Sequence, residues 1–390
     1  MSEDRFDEDY FVAMDCLAGK TALYNRKSGD FLKYLFEQSA GEEVPYTGRG
    51  MVDVQINGVN GVDFNSDSLS TDKLLSAAGY LLSNGVTTFF PTVITNSVSN
   101  TRTILSLINK ACFENQLLEQ CIGGIHLEGP FISPRNGFRG AHQKKYIRAP
   151  DWDLFCSFQD ASGGRIKIIS LSPEWENAND FIRKCRKAGL LVAIAHSGAG
   201  ADQINSAVGA GAKLASHIGN AVPLMLPRHS ETIYAQLAND GLYASIIADG
   251  FHLPVPFISV VIKTKKKRTI LVSDATCFAG MVPGDYKAHI GENVILGEDG
   301  SLRMKSNPGL LAGSARLLTD NVQYLVANGL ADISQAWYMA SEGPARMTGL
   351  ISLHDTEKDR VVFNFKNDKI CIYEVFKRGV SVWKKNSEAC

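Results

Sequence analysis

Apolar residues in this chain gather in short, nearly continuous runs. From Gly50 onward eight of them recur: GMVDVQIN (50–57), GVTTFFPTV (85–93), IGGIHLEG (122–129), RIKIISLSPE (165–174), LVAIAHS (191–197), KLASHIG (213–219), LYASIIADG (242–250) and TILVSDA (269–275). Strands buried on both faces read this way in parallel sheets, whereas half-exposed strands alternate. Amphipathic stretches separate most of the runs. Thr71 to Ser83 places Leu74, Leu75, Ala78 and Leu81 near one helical face. Asn100 is a candidate cap for a helix reaching Asn115. A helix ends near Ala188, and the prolines of PVPFISVVIK suit a helix start. Eight strand–helix units in a row predict an α/β fold of the closed (β/α)8, TIM-barrel type.

Outside these units the pattern changes. Ser314 to Asn328 and Ser334 to Met347 read as two further helices, and RVVFNF, KICIYEVF and SVWKK as short antiparallel strands. Near the start, LYNRKSGDF suggests two short strands around a turn, and DFLKYLFEQSA a short amphipathic helix. The expected organisation is a barrel over residues 49–345 and a small β-rich domain from residues 1–48 plus 346–390. The segment PFISPRNGFRGAHQKKYIRAP after the third run is longer than a connection requires, as binding lids often are.

Polar residues fall at the ends of the predicted strands: Gln55 and Asn57, Glu128, His196, His217, Asp249 and His252, and Asp274. In a barrel these ends form the C-terminal face, where active sites lie. A lone histidine or aspartate there is usually a satisfied structural group, and Asp249 is read so. As a set the others suggest more. Glu128, His196 and His217 offer one carboxylate and two imidazoles, the three-ligand pattern of a catalytic zinc site with a fourth position open. A metal so held lowers the pKa of its water toward ~7. Asp274 is placed to take a proton from that water and deliver it to a leaving amine. Gln55 and Asn57 allow two readings. Neutral amides bind transition metals poorly, so the site would hold one tight metal rather than two; or both side chains only hydrogen-bond the strand-end backbone.

Composition narrows the classes. The 390 residues are 45% hydrophobic and 21% charged, with net charge -1, which gives no reason to expect nucleic acid or an anionic membrane as partner. The run KTKKKR (263–268) reads as a solvated helix end and loop. Eight scattered cysteines without a Cys-x-x-Cys pair suggest reduced thiols. The acidic start MSEDRFDEDYF argues against a signal or transit segment, and no apolar run has transmembrane length, so a cytoplasmic protein is expected.

The words DVQINGVNGVDFN, HLEGPFISP, GAH, AHSGA, SHIGNAVPLMLPR, IADGFH, LVSDAT and LLAGSA resemble, in order and spacing, the N-acetylglucosamine-6-phosphate deacetylase family of the amidohydrolase superfamily, over roughly residues 48 to 345. The resemblance implies a (β/α)8 barrel with a small β-sandwich from both chain ends, and hydrolysis of N-acetylglucosamine 6-phosphate to glucosamine 6-phosphate and acetate. It implies Glu128, His196 and His217 as ligands of one divalent metal, zinc by ligand type, and Asp274 as general base and acid. His142 matches a histidine that polarises the acetamide carbonyl. Ala141, Asn220, Ala221, Arg228, His252, Leu311, Ala312 and Gly313 match substrate contacts, with Arg228 suited to grip the phosphate. A homodimer is implied as well.

The chain also departs from that family. Its first 48 residues lack the usual run of short strands, the tail lacks the usual Gly-x-x-Ala-Asp-Leu-Val strand, and Ile218 and Gly219 replace a bulkier pair. Two other functions remain open at this stage. One is deacetylation of a related amino-sugar phosphate such as the galacto epimer; the other is a catalytically inactive sugar-phosphate-binding protein with decayed termini.

Overall fold

The computed structural model describes residues 9–35, 44–287, 293–352 and 358–385. Its centre is the expected barrel. The strands, here β1 to β8, are Met51–Ile56, Val86–Ile94, Ile125–Glu128, Ile166–Leu171, Leu191–Ile194, Ala212–Ala215, Tyr243–Ile246 and Thr269–Leu271. They pair in that order, each parallel to the next. The amide of Asp274 donates to the Gln55 carbonyl at 3.0 Å and that of Asn57 to the Ala275 carbonyl at 2.8 Å, joining the last strand to the first at the C-terminal mouth. Val52, Val54, Phe90, Ile168, Ala193, Leu214, Ile247, Ile270 and Val272 fill the interior as a packed core.

The helices largely follow the amphipathic pattern. Thr71–Ser83 buries Leu74, Ala77, Ala78, Leu81 and Leu82, and Ser70 caps it. Three expectations need correction. The helix Val98–Glu114 starts a turn earlier than Asn100 suggested, because the Ser97 side chain accepts from the Asn100 amide. The segment 314–328 turns helical only at Leu318. The segment 334–347 is two helices, Ile333–Ala340 and Glu342–Thr348, parted at Ser341. Pro344 lacks an amide hydrogen and would clash with the carbonyl four residues back, so one straight helix could not pass through it.

A four-stranded antiparallel sheet, Gly284–Lys287, Asn293–Leu296, Leu302–Met304 and Asn307–Leu311, was not anticipated. Its signal was present: the turn pair Asp299-Gly300 between NVIL and LRM, with Val294, Leu296 and Leu302 buried on one side.

The chain ends form a seven-stranded sheet, ordered Val380–Lys384, Lys369–Lys377, Arg360–Lys366, Tyr46–Arg49, Tyr10–Asp15, Lys20–Asn25, Phe31–Tyr34. The initial strands thought to be missing are therefore there. Phe31–Tyr34, expected in a helix, is a strand paired with Lys20–Asn25, as the reading of LYNRKSGDF required. The rest of that expected helix, residues 36–40, lies outside the described residues. Trp337 locks the sheet to the barrel: its ring stacks on Phe363 at 4.0 Å and its Nε1 donates to the Arg49 carbonyl at 2.9 Å. A Cβ on Gly48 would lie 2.3 Å from that nitrogen, so glycine is required there. Trp337→Ala is expected to cost about 3–5 kcal/mol of stability in urea unfolding; a loss below about 1 kcal/mol would contradict this keystone role.

Six cysteines, Cys16, Cys112, Cys121, Cys156, Cys185 and Cys277, carry free thiols as expected. Cys371 does not; it is disulfide-bonded. The KTKKKR run is the end of helix Val255–Lys265 and a 3-10 turn, but Lys265 is buried rather than solvated, donating to the Asn239 carbonyl at 2.6 Å. No described helix is long and apolar enough to cross a membrane.

One buried acid in the barrel wall affects stability. Asp53 Oδ1 accepts from the amides of Gln55 and Ser273, both at 3.3 Å, while Oδ2 has no partner. Burial pushes its carboxyl up to about 7. The fold therefore prefers the protonated acid. The stability this preference contributes is complete below the ordinary carboxylate range and is lost as pH rises toward about 7. Asp53→Asn should raise Tm above that of the parent at pH 8, with the gap narrowing toward pH 5. Equal Tm values at pH 8 would contradict this.

Candidate metal centre

The strand ends converge as a (β/α)8 barrel requires. Glu128 is the last residue of β3, while His196 and His217 each stand two residues beyond β5 and β6. Three of the residues at this mouth have left-handed backbone: His196 at φ 47°, His217 at φ 32° and Asp274 at φ 46°. Such conformations are uncommon outside glycine and cost about 1–3 kcal/mol each. At His217 a set of local hydrogen bonds holds the conformation. The His217 amide donates to Ser245 Oγ at 2.7 Å, the amide of Ile218 to the Ser245 carbonyl at 2.9 Å, and the Ser216 amide to the Ile194 carbonyl at 2.9 Å. The chain leaves each strand sharply, which turns the side chain across the mouth.

Glu128 Oε1 lies 3.1 Å from His217 Nε2 and 3.4 Å from His196 Nε2. One ligand atom from each of the three residues lies within 4.8 Å of the others, a spacing one metal ion can bridge. His196 Nδ1 sits 3.1 Å from the Phe138 carbonyl, to which only an Nδ1–H can donate, leaving Nε2 with its lone pair. His217 Nδ1 is buried with no hydrogen-bond partner. Two imidazole nitrogens crowded on one buried carboxylate, with an orphaned ring nitrogen beside them, fit a cation-binding set. The chemistry of the donors suits zinc and its neighbours.

Gln55 and Asn57 do more than bond the strand-end backbone, although Asn57 Nδ2 also approaches the Asp274 carbonyl at 3.5 Å. Gln55 Nε2 donates to Glu128 Oε1 at 2.7 Å, and its Oε1 accepts from Ser216 Oγ at 2.6 Å. Asn57 Nδ2 donates to Asp274 Oδ1 at 2.8 Å. Each amide aims a carboxylate. His142 comes from the long loop after β3; its Nδ1 is 2.9 Å from Thr95 Oγ1 and its Nε2 is 3.9 Å from Glu128 Oε2.

The electrostatics divide the labour. Burial raises the Glu128 carboxyl, but the hydrogen bonds and charges of His196 and His217 outweigh it and hold it well below the usual carboxylate range. Burial pushes His142 down to about 3, so it works as a neutral ring. Asp274 is pushed up to about 6, by burial first and by the negative charge of Glu128 second. Two carboxyls in one pocket thus differ: one is held ionised, the other is poised to exchange a proton near neutral pH.

The amidohydrolase family profile matches residues 50–359 of this chain. The chain belongs to the amidohydrolase family. It is 30% identical over 306 residues to the N-acetylglucosamine-6-phosphate deacetylase of Bacillus subtilis (strain 168), covering 77% of this chain and 75% of that protein. It is also 30% identical over 299 residues to the N-acetylgalactosamine-6-phosphate deacetylase of Escherichia coli O157:H7, covering 77% of each. Among solved structures it resembles N-acetylglucosamine-6-phosphate deacetylase from Thermotoga maritima, with a TM-score of 0.80 and 24% identity, covering 96% of this chain and 98% of that one.

The other anticipated residues of this amidohydrolase lie around the same mouth or on its loops. His252 Nδ1 is 2.7 Å from Asp249 Oδ2, and Asp249 Oδ1 accepts from the amides of Phe251 and His252 at 2.9 Å each. Asp249 is thus a satisfied structural group, as read from sequence, and it also orients His252. Asn220 Nδ2 donates to the His217 carbonyl at 3.2 Å, and Ala221 has a φ of 52°. Ala141 is exposed beside buried His142, and Arg228 is exposed on the loop after β6. Leu311 ends the last strand of the unanticipated sheet, and Ala312 and Gly313 follow it toward Ser314, which bridges Ala275 one residue past Asp274. Thr95 and Ser216 escaped the sequence reading because a hydroxyl gains meaning here only from the ring or amide it meets.

Proposed function

We propose that this chain hydrolyses N-acetylglucosamine 6-phosphate to glucosamine 6-phosphate and acetate. The observation that carries the reading is the constellation itself: Glu128, His196 and His217 at one point, with a second carboxylate, Asp274, held by Asn57 in the same pocket. Glu128, His196 and His217 would hold one divalent ion, zinc for preference. When bound, that ion supplies Lewis acidity and charge stabilisation.

The protein's own groups account for the proton traffic. Ionised Asp274 accepts a proton from the attacking water. Protonated, it delivers that proton to the amide nitrogen as the C–N bond breaks, so amide plus water becomes amine plus acetic acid, which releases its remaining proton to solvent as acetate. His142 is neutral and can donate Nε2–H to the acetamide oxygen when Thr95 Oγ1 donates to Nδ1. Asn220, Ala221, Ala141, His252 and Leu311 to Gly313 are proposed to contact the sugar, and Arg228 its phosphate. Asp249 would hold the His252 ring for that purpose.

The barrel, residues 49–345, is proposed as the catalytic domain, with residues 1–48 and 346–390 as the small domain. A cytoplasmic homodimer is the proposed working state; exposed Leu224 and Met225, on the loop that carries Arg228, support a second copy there.

Equal identity to a relative named as an N-acetylgalactosamine-6-phosphate deacetylase favours the epimer as the one alternative substrate. Acetate release measured side by side on the two 6-phosphates is expected to give a higher kcat/KM for the gluco compound. A preference for the galacto compound would reassign the substrate, and acetate from neither would overturn the reading.

A further inference from the structure

Strand β4 gives nothing to the set of strand-end groups so far described, yet three residues past its end stands Glu174. Its side chain is only 16% exposed. Oε1 pairs with Arg135 Nη1 at 2.6 Å; Oε2 accepts from Ser172 Oγ at 2.8 Å and from the Gly198 amide at 2.9 Å. Ser172 Oγ also bonds Ser197 Oγ at 2.9 Å. One carboxylate therefore ties together the loops after β4 and β5 and the long loop after β3. The guanidinium of Arg135 lies over the Phe138 ring, 4.7 Å from its centre. A Cβ on Gly198 would lie 2.7 Å from Arg135 Nη1 and 2.8 Å from Phe138 Cε2, so ring, guanidinium and the β5 loop are packed without slack. The Phe138 carbonyl is the acceptor for His196 Nδ1, at 3.1 Å.

We infer that Glu174 is a positioning residue of the metal centre, acting through Arg135 and Phe138 to keep the Phe138 carbonyl on His196 Nδ1. That carbonyl fixes which nitrogen carries the hydrogen and leaves Nε2 free to ligate. The same loop carries His142, whose carbonyl accepts from Arg139 at 2.8 Å, so drift of the loop would disturb both rings. An ordinary exposed ion pair contributes about 0–1 kcal/mol and touches no chemistry. This one differs because both its oxygens are used and its chain of contacts ends on a proposed ligand.

The inference rests on His196 being a ligand, and the test separates the two claims. Metal-stripped full-length chains are titrated with Zn2+ against a chromophoric chelator, and with Co2+ while its visible absorption is recorded. The parent and the variants Glu174→Gln, Arg135→Gln and the double variant are compared, with Tm of each stripped chain. The expected result is a Zn2+ Kd about 10-fold weaker in each single variant, in the range that lost outer partners of metal ligands cost. The Co2+ band should shift, and the double variant should be no worse than the poorer single one, because both break one chain of contacts. Arg135 is largely exposed, so its variant decides the matter even if Glu174→Gln folds poorly. Unchanged Kd and Co2+ spectra in Arg135→Gln, or losses that simply add in the double variant, would overturn the inference. A parent chain that binds neither ion would instead overturn the ligand assignment.

Discussion

Asp274→Asn is expected to lower kcat for deacetylation by about 10²–10⁴-fold, the usual contribution of a positioned acid–base group. Metal content should stay at the parent's level. Asparagine keeps an oxygen for Asn57 Nδ2 to donate to, at the place where Asp274 Oδ1 now accepts at 2.8 Å, so the pocket should hold its shape. What is lost is the proton exchange. The pH profile gives a second reading of the same variant. The ionised carboxylate is the working form, so kcat/KM should rise with pH through the Asp274 pKa and level off above it. In the metal-free protein burial and the Glu128 charge push that carboxyl up to about 6. A divalent cation held by Glu128, His196 and His217 would oppose that push, so the acid limb of the loaded enzyme belongs below about 6. The Asp274→Asn residual rate should lack the limb. A variant that keeps a tenth of parental kcat would remove Asp274 from the role of base.

Glu128→Gln is expected to abolish tight metal binding. The loss should exceed the ~10²-fold that removing an outer partner of a ligand costs, since a neutral amide replaces the one anionic donor of the set. Equilibrium dialysis followed by elemental analysis reads it directly. The substitution also places an amide where Gln55 Nε2 now donates at 2.7 Å and where two imidazole nitrogens approach within 3.4 Å. Activity should fall with occupancy and return in part at high metal concentration. A Glu128→Gln chain that retains one tightly bound ion would show that the site is built otherwise.

The barrel was legible because its strands are buried on both faces and their pattern repeats eight times. The convergence of the candidate ligands was legible for a related reason. A charged or imidazole group just past an apolar run has few places to go except the mouth, and Glu128, His196, His217 and Asp274 all do this. What the sequence concealed depends on contacts between distant segments. Gln55 reads as one more polar strand residue until Glu128 and Ser216 are seen on either side of it. Glu174 follows a serine and a proline at the end of its run and looks like part of a loop. The small domain was harder still, since Tyr46–Arg49 pairs with Tyr10–Asp15 on one side and, from the far end of the chain, with Arg360–Lys366 on the other. Short, half-buried strands carry weak local signals, and register across some 300 residues carries none.

Stepwise return of Zn2+ to metal-stripped protein, with acetate release from N-acetylglucosamine 6-phosphate followed at each step, bears most directly on the centre proposed for Glu128, His196 and His217. Activity should be absent at the start, climb in proportion to added ion and reach its plateau at about one equivalent per chain, the number a single three-ligand site can hold. Full activity before any ion is returned, or a plateau reached only at two equivalents, would contradict it.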